Sequence, residues 1–351
     1  DANGAKVWDK RFGGGAGGWT GAGPDYCRAV IATADGGFLL AGKSGHVSGA
    51  TGQRSESSRG DYDYWAVKLD ANGNKVWDKS LGGSGLDICH DVVATPDGGY
   101  LFVGESNSTA GGDKSQGSQG MKDFWAVKVN ANGTKVWDKR FGGAGDDSCN
   151  AVIATVDGGY LLVGDTGANS GATGDRSEPS RGWSDYWVVK IDANGVKQWD
   201  KTFGGTDGDY CADVVATPDG GFLLAGNSKS GANGDKSQQG RGASAWGSHT
   251  ADFWAIKINS IGTKIWDKRF GGSEADKCTA AIVTSDGGYL LVGDTKSGVS
   301  GDKSEPNRGN QDYWVLKIDD NGNKVWDKSL GGGGGDFATS VVQDVSGGYL
   351  V

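Results

Sequence analysis

The residues of this chain that could do chemistry recur in register. An Asp stands two positions before each of five cysteines, as Asp25, Asp87, Asp147, Asp209 and Asp276, and Asp336 precedes Ala338 by the same step. A second set lies in Gly-Asp-Lys-Ser or Gly-Asp-Arg-Ser, with Asp113, Asp175, Asp235 and Asp302, and Gln53 in the first copy. An Arg-Gly step follows at Arg59, Arg181, Arg241 and Arg308, with Gln119-Gly120 in the second copy. Three chemistries fit. A ring of Arg and Asp could grip a polar ligand. Asp113, Asp175, Asp235 and Asp302 could supply oxygens to calcium, although the adjacent Lys or Arg and the Gln53 variant count against it; no other metal or cofactor is expected. The Asp set before the cysteines could form an acidic ring at a channel mouth that attracts cations. Each has a plain structural counterpart: a loop folded on its own Asp and Ser side chains, and Asp side chains that cap backbone N–H groups at strand starts.

Three Trp residues, Trp19, Trp183 and Trp246, fall outside the repeated pattern. Repeat-breaking aromatics are candidates for stacking on sugar rings or anchoring a protein, against simple packing over their own loops. His46, His90 and His249 occupy non-equivalent positions, which suggests neither a metal cluster nor a catalytic triad. No catalytic residues are assigned. Carboxylates are numerous enough for a glycosidase pair, but no pair breaks the repeat. The Gly331 to Gly335 string precedes no helical pattern, so a phosphate loop is not expected. Cys27, Cys89, Cys149, Cys211 and Cys278 are equivalent to one another and to Ala338. A position that Ala can fill is a small packed hydrophobe, and equivalent positions on neighbouring repeats should exceed the ~7 Å Cα limit of a disulfide.

These residues must be positioned by a repeated unit. Cysteine spacings are 62, 60, 62 and 67 residues. Asp-Gly-Gly recurs at Asp35, Asp97, Asp157, Asp219 and Asp286, Asp-Tyr/Phe-Trp at Asp63, Asp123, Asp185, Asp252 and Asp312, and Trp-Asp-Lys six times from Trp8 to Trp326. Each unit reads as four strands: A (Cys149 to Thr155), B (Gly159 to Gly164), C (Tyr186 to Ile191) and D (Lys197 to Phe203). All are rich in β-branched and aromatic residues and bounded by Gly, Asp or Asn. Asp-Gly-Gly and Asn-Gly turns make A–B and C–D hairpins. The B–C connections exceed the length of about 12–15 residues above which loops are usually functional or disordered.

Four-stranded antiparallel units at this period predict an all-β propeller. Small residues place A innermost, and the Trp-Asp-Lys strand suits the outer rim. The units run approximately 27–81, 89–142, 149–204, 211–271 and 278–331, with 338–351 plus 1–14 forming a closing blade whose fourth strand is Lys6 to Phe12. A six-bladed ring is expected; the alternatives are a fragment of a longer repeat array or a five- or seven-bladed ring. The B–C and D–A loops should share one face.

Bulk composition narrows the partners. The formal charge is −9 with no basic stripe, which disfavours nucleic acid. No apolar run approaches the ~20 residues that span a bilayer.

The stretch Asp286 to Gly332, with Asp-Gly-Gly-Tyr-Leu-Leu-Val-Gly, Asp-Tyr-Trp-Val-Leu-Lys-Ile-Asp and Lys-Val-Trp-Asp-Lys, resembles the repeat regions of secreted or cell-surface β-propeller proteins of Bacteroidota, many of them type IX secretion cargo. The resemblance covers essentially the whole chain. It implies an extracellular or cell-surface location and carries over no catalytic residue. The function expected is non-enzymatic binding or adhesion, with the B–C and D–A loops presented to a glycan or surface protein. The alternatives are a structural or assembly module of a surface fibre or secretion-associated complex, within a larger chain or assembly, and a polysaccharide hydrolase or lyase.

Overall fold

A computed structural model describes residues 5–13, 24–45, 52–167, 171–242 and 249–351. No helix occurs among them, so none is long and apolar enough to cross a membrane. Five four-stranded antiparallel sheets follow one another, each with its strands in chain order. The first holds β1 (Tyr26–Ala32), β2 (Phe38–Gly45), β3 (Tyr62–Leu69) and β4 (Lys75–Leu81). The second holds β5 (Asp87–Ala94), β6 (Tyr100–Ser106), β7 (Asp123–Val129) and β8 (Lys135–Phe141). The third holds β9 (Asp147–Ala154), β10 (Tyr160–Gly167), β11 (Ser184–Ile191) and β12 (Lys197–Phe203). The fourth holds β13 (Asp209–Ala216), β14 (Phe222–Ser228), β15 (Asp252–Ile258) and β16 (Lys264–Phe270). The fifth holds β17 (Asp276–Val283), β18 (Tyr289–Thr295), β19 (Asp312–Ile318) and β20 (Lys324–Leu330). A last hairpin pairs β21 (Val342–Gln343) with β22 (Tyr349–Leu350). The all-β repeat of four-stranded blades expected from sequence is therefore present, and β12 spans the same residues as the expected strand D.

The turns form for local reasons. In the first A–B hairpin Thr33 N–H donates to Gly37 O and Gly36 adopts φ 80°, a left-handed conformation that Gly adopts without steric cost. Asp35 accepts Thr33 Oγ1 at 2.5 Å and pairs with Lys68 from β3 at 2.8 Å. The same tie joins Lys128 to Asp97, Lys257 to Asp219 and Lys317 to Asp286. These four Asp-Gly-Gly turns are thus held by a buried Lys of the third strand as well as by their own geometry.

A second cross-strand row explains the Cys, Gly and Trp. Cys89 pairs with Gly104, which pairs with Trp125. The register slips between Cys89 and Asp91, a β-bulge, and Cys89 Sγ caps the bulge carbonyl of Asp91 at 3.4 Å. A Cβ on Gly104 would lie 1.9 Å from Ile88 O, so the row tolerates no side chain there. Gly226 and Gly293 face the same kind of contact in later sheets. The five cysteines are free thiols, and burial raises Cys89, Cys211 and Cys278 well above the ordinary thiol range, so these three behave as inert packing groups; Cys27 is exposed.

The chain divides into two compact units, Asp1–Tyr160 with Asp192–Val196 and Leu161–Ile191 with Lys197–Val351. In the first, β5 packs across β1, β2 and β3, and β9 across β5, β6 and β7. Tyr64 donates its hydroxyl to Trp125 O at 2.9 Å while its ring lies 4.8 Å from the Trp125 ring. Such a ring pair adds about 0.5–1.5 kcal/mol beyond area burial. Asp91 accepts the Val152 N–H at 2.9 Å and so ties one inner strand to the next. In the second unit, β17 packs across β13, β14 and β15. Tyr186 donates to Trp254 O at 3.0 Å, and Asp213 accepts the Ala281 N–H at 2.8 Å. Stacking each sheet on its predecessor buries both faces of the third strand; every residue of β7, β11 and β15 is buried.

The sequence expects Lys6 to Phe12 to serve as the outer strand of a closing blade with 338–351. Residues 5–13 carry no strand, and β21–β22 is a sheet of two short strands. The segment packs instead on the first sheet. Trp8 sits 6.0 Å from Phe38 and against Gly73, the contacts that Trp77 makes with Tyr100 and Gly133. Gly13 N–H donates to Gln53 Oε1, as Gly82 N–H does to Asp113. Residues 8–13 therefore meet the first sheet as the outer strand of a preceding sheet would.

Candidate functional site

The B–C and D–A loops lie at one end of the sheets and are bonded to each other. Residues at or just before the start of the third strand bridge in parallel to the D–A loop at Tyr62–Leu86, Lys122–Asp146, Ser184–Gly208 and Gln311–Gly335. The shared loop face expected from sequence is formed locally in each sheet.

The Gly-Asp-Lys-Ser motif is consumed by this scaffold. Ser115 N–H donates to Asp138 Oδ2 at 2.8 Å, the same oxygen accepts Trp125 Nε1 at 3.2 Å, and Lys135 pairs with Oδ1 at 2.9 Å. Asp78, Asp200, Asp267 and Asp327 gather the same three partners. The motif Lys is buried: Lys114 Nζ donates to Ser106 and Ser118 hydroxyls at 2.7 and 2.8 Å, and burial lowers it to about 8. The calcium candidates are spent similarly. Asp113 accepts the Gly82 N–H at 3.2 Å and pairs with Arg59 at 2.6 Å; Asp235 does the same with Gly204 and with Arg181 at 2.7 Å. Asp302 meets Arg241 at 3.4 Å and Arg269 at 3.1 Å, and Asp175 is half-buried in its loop. Guanidinium groups fill the cation position at Asp113, Asp235 and Asp302. No group of three metal-ligating side chains occurs among the described residues.

Arg59, Arg181 and Arg241 therefore do not stand as a free ligand-gripping ring. Each reaches into the loop of the following repeat. Arg308 is exposed, and its side chain makes no hydrogen bond or ion pair among the described residues. The acidic set is also enclosed. Asp87, Asp147, Asp209 and Asp276 are fully buried and accept the N–H of Gly83, Gly143, Gly205 and Gly272 at 2.7–2.8 Å. Asp336, half-buried, accepts Gly332 N–H at 2.8 Å, and Asp25, also half-buried, accepts the Ser44 hydroxyl. The four buried carboxylates cap loop backbone and cannot present an open collar to passing cations.

Each buried Asp converges with a second. A methyl on Gly82 would lie 2.3 Å from Asp63 Oδ1 and 2.9 Å from Asp87 Oδ2, and Gly271 is straddled the same way by Asp252 and Asp276. Burial, and then the neighbouring carboxylate, push these groups up: Asp123 and Asp185 to about 6 and Asp252 to about 7. In contrast Asp97, Asp219 and Asp327 are held at about 2 by Lys and hydroxyl or backbone donors. The raised group binds protons in the fold that an unfolded carboxylate, near 3.9, does not hold. Stability therefore rises as pH falls from about 7 towards 4. The depressed group contributes stability above about 4 that is lost as pH falls through 2. The melting temperature should climb between pH 8 and about 4.5 and drop below pH 3. A calorimetric series that declines steadily from pH 7 to 4 would show that the buried Asp ionise normally.

Of the three repeat-breaking Trp, Trp19 and Trp246 lie outside the described residues. Trp183 is 72% exposed, just before β11. A cavity of about 350 Å³ borders Phe12, Leu40, Trp65 and Val67; these are packing residues of the first sheet.

One cluster was missed from sequence. At the loop end of the first two sheets, Lys43 lies 4.3 Å from the Tyr62 ring and 5.0 Å from Tyr26. Lys122 pairs with Glu105 at 3.2 Å. His90 lies within the fields of Glu105, Arg28, Lys122 and Lys43, and desolvation followed by those cations lowers it to about 4. Its Nε2 is buried without a partner. The sequence signal was present: Arg28, His90, Asn150, Ala212 and Thr279 share one repeat position, and Lys43, Glu105, Asp165, Asn227 and Asp294 another. Charge varies there beside invariant neighbours, a pattern sought above only among aromatics.

No family model matches the chain. It is 23% identical over 273 residues to the regulatory protein FlaEY of Caulobacter vibrioides, a match covering 73% of this chain and 28% of that protein. The chain thus spans just over a quarter of that relative. Among solved structures it is similar to an apocarotenoid oxygenase mutant from Synechocystis (TM-score 0.44, 11% identity, 90% of this chain and 64% of that one). Another is BamB from Moraxella catarrhalis (0.33, 14%, 92% and 98%). The fold and site together define an all-β repeat protein of stacked four-stranded blades.

Proposed function

We propose that this chain is a non-enzymatic binding module of the cell surface or extracellular space that presents its B–C and D–A loops to a glycan. The observation that carries the reading is a division of labour on the loop face. The repeat-invariant Asp, Lys, Ser and most of the Arg are engaged in internal pairing. Apart from Arg308, the candidate side chain left towards solvent is repeat-variable, Trp183. An exposed indole offers a broad apolar face for a sugar ring at small entropic cost. The surface location rests on the resemblance to exported Bacteroidota repeat proteins, as does the type IX route. Probing a glycan array with labelled chain should give saturable binding, and Trp183→Ala should weaken it about tenfold, the effect of losing roughly 1.4 kcal/mol from an aromatic anchor. A blank array, or equal binding by the variant, would overturn the reading.

A further inference from the structure

We propose that the loop end of the first two sheets is a binding site for a singly charged oxyanion on a sugar, a uronate carboxylate or a sulfate ester, held by Arg28, Lys43 and Lys122 near His90. The proposal specifies the ligand class of the loop face and rests on the glycan-binding reading, but it uses residues separate from Trp183.

Four observations carry it. First, the cluster concentrates positive charge in a chain of net charge −9: three cations face one carboxylate, Glu105. Second, two of those cations make no direct ion pair. Arg28 is exposed, and neither it nor Lys43 has an ion pair among the described residues. Lys43 is instead held against the Tyr62 and Tyr26 rings, contacts that fix a cation without neutralising it. Third, Glu105 is buried and anchored by Lys122 at 3.2 Å. A buried carboxylate beside the cations, both its oxygens taken by Lys122, disfavours a doubly charged phosphate. A sugar acid supplies one negative charge. Fourth, the His90 ring, within the field of these charges, has a buried, unpartnered Nε2. Its neutrality is maintained by burial and the surrounding cations, so a bound anion would favour its protonation.

That coupling supplies the test. The Cε1–H resonance of His90, assigned with His90→Gln, is followed by NMR during titration of the whole chain with glucuronate, glucosamine 6-sulfate with its amine acetylated, glucose or inorganic phosphate. The resonance should move saturably with the acidic sugars, stay still with glucose, and move more weakly with phosphate. The apparent His90 pKa should rise when the ligand is bound. Arg28→Gln and Lys43→Gln should each weaken binding at least fivefold. Glu105→Gln should tighten it severalfold, a gain that a merely structural role for Glu105 would not produce. Equal response to glucose and glucuronate, no response to either acidic sugar, or unchanged affinity in both cation variants would overturn the proposal. Neutral-glycan binding through Trp183 with a silent His90 would sink this inference alone. A responsive His90 with a blank array would sink the Trp183 reading instead.

Discussion

Gly104→Ala should abolish the fold or lower its stability by about 4 kcal/mol or more, the range reserved for backbone clashes and broken cores. The added Cβ would come within 1.9 Å of Ile88 O and 2.8 Å of Tyr64 Oη. The first contact is main chain in the adjacent inner strand, beside the bulge at Cys89, so no side-chain rotation can relieve it. Relief requires parting β5 from β6, which breaks the Cys89–Gly104–Trp125 row and displaces the hydroxyl that ties Tyr64 to Trp125. Gly98→Ala is the informative control. Gly98 has φ 81° but nothing within 4 Å of the new methyl, so only left-handed strain of about 1–2 kcal/mol is added. Urea unfolding of the two variants should therefore separate them clearly. Comparable midpoints would mean that the inner hairpin opens far more readily than its contacts indicate.

Asp138→Ala should cost about 3–5 kcal/mol, the usual penalty for removing one member of a buried charged network. The substitution strands Trp125 Nε1, the Ser115 N–H and Lys135 together. Lys135 also donates to Asp113 O at 2.5 Å, so the loop between β6 and β7 loses its hold on β8 as well as its own strand. Asp138→Asn retains an acceptor for one or two N–H donors but not the charge for Lys135, and should fall between wild type and Ala. The damage should be local before it is global. Limited trypsin digestion should cut near Lys114 in the Ala variant while wild type resists, because Lys114 is buried and becomes available only when the loop lifts. Resistance at Lys114 together with an unchanged urea midpoint would remove Asp138 from its central place in the blade.

These two expectations rest on residues whose recurrence was plain in the sequence. Trp-Asp-Lys and the Gly-Asp-Lys-Ser loop were visible as repeats, yet their mutual bond was not. The hairpins were legible because strand alternation and turn chemistry act over a few residues; β12 and the Asn-Gly turn before it follow from local propensity alone. The cysteines, too, could be assigned to packing because Ala338 takes the same place.

The tertiary structure decided which copy each side chain serves. Arg59 could have paired with an Asp in its own loop; it pairs with Asp113 of the next repeat. Repetition hides this distinction, since every copy offers the same partners at the same offsets. Burial was equally hidden. Asp87 and its equivalents are as acidic in sequence as any surface residue, and only the folding of the D–A loop over them turns a prospective collar into backbone caps. Lys6 to Phe12 has the composition of an outer strand, and only the structure shows it laid against the first sheet through Trp8 and Gly13. The Arg28, Lys43 and His90 cluster is equally hidden in the sequence. Its members lie on different strands of two sheets, and only stacking those sheets brings their charges into one field. The sequence by itself therefore determined the repeat, its strands and its turns, which depend on short-range backbone preferences. The structure decided which polar groups are spent within the scaffold and which remain for a ligand, because that depends on contacts between copies about 60 residues apart.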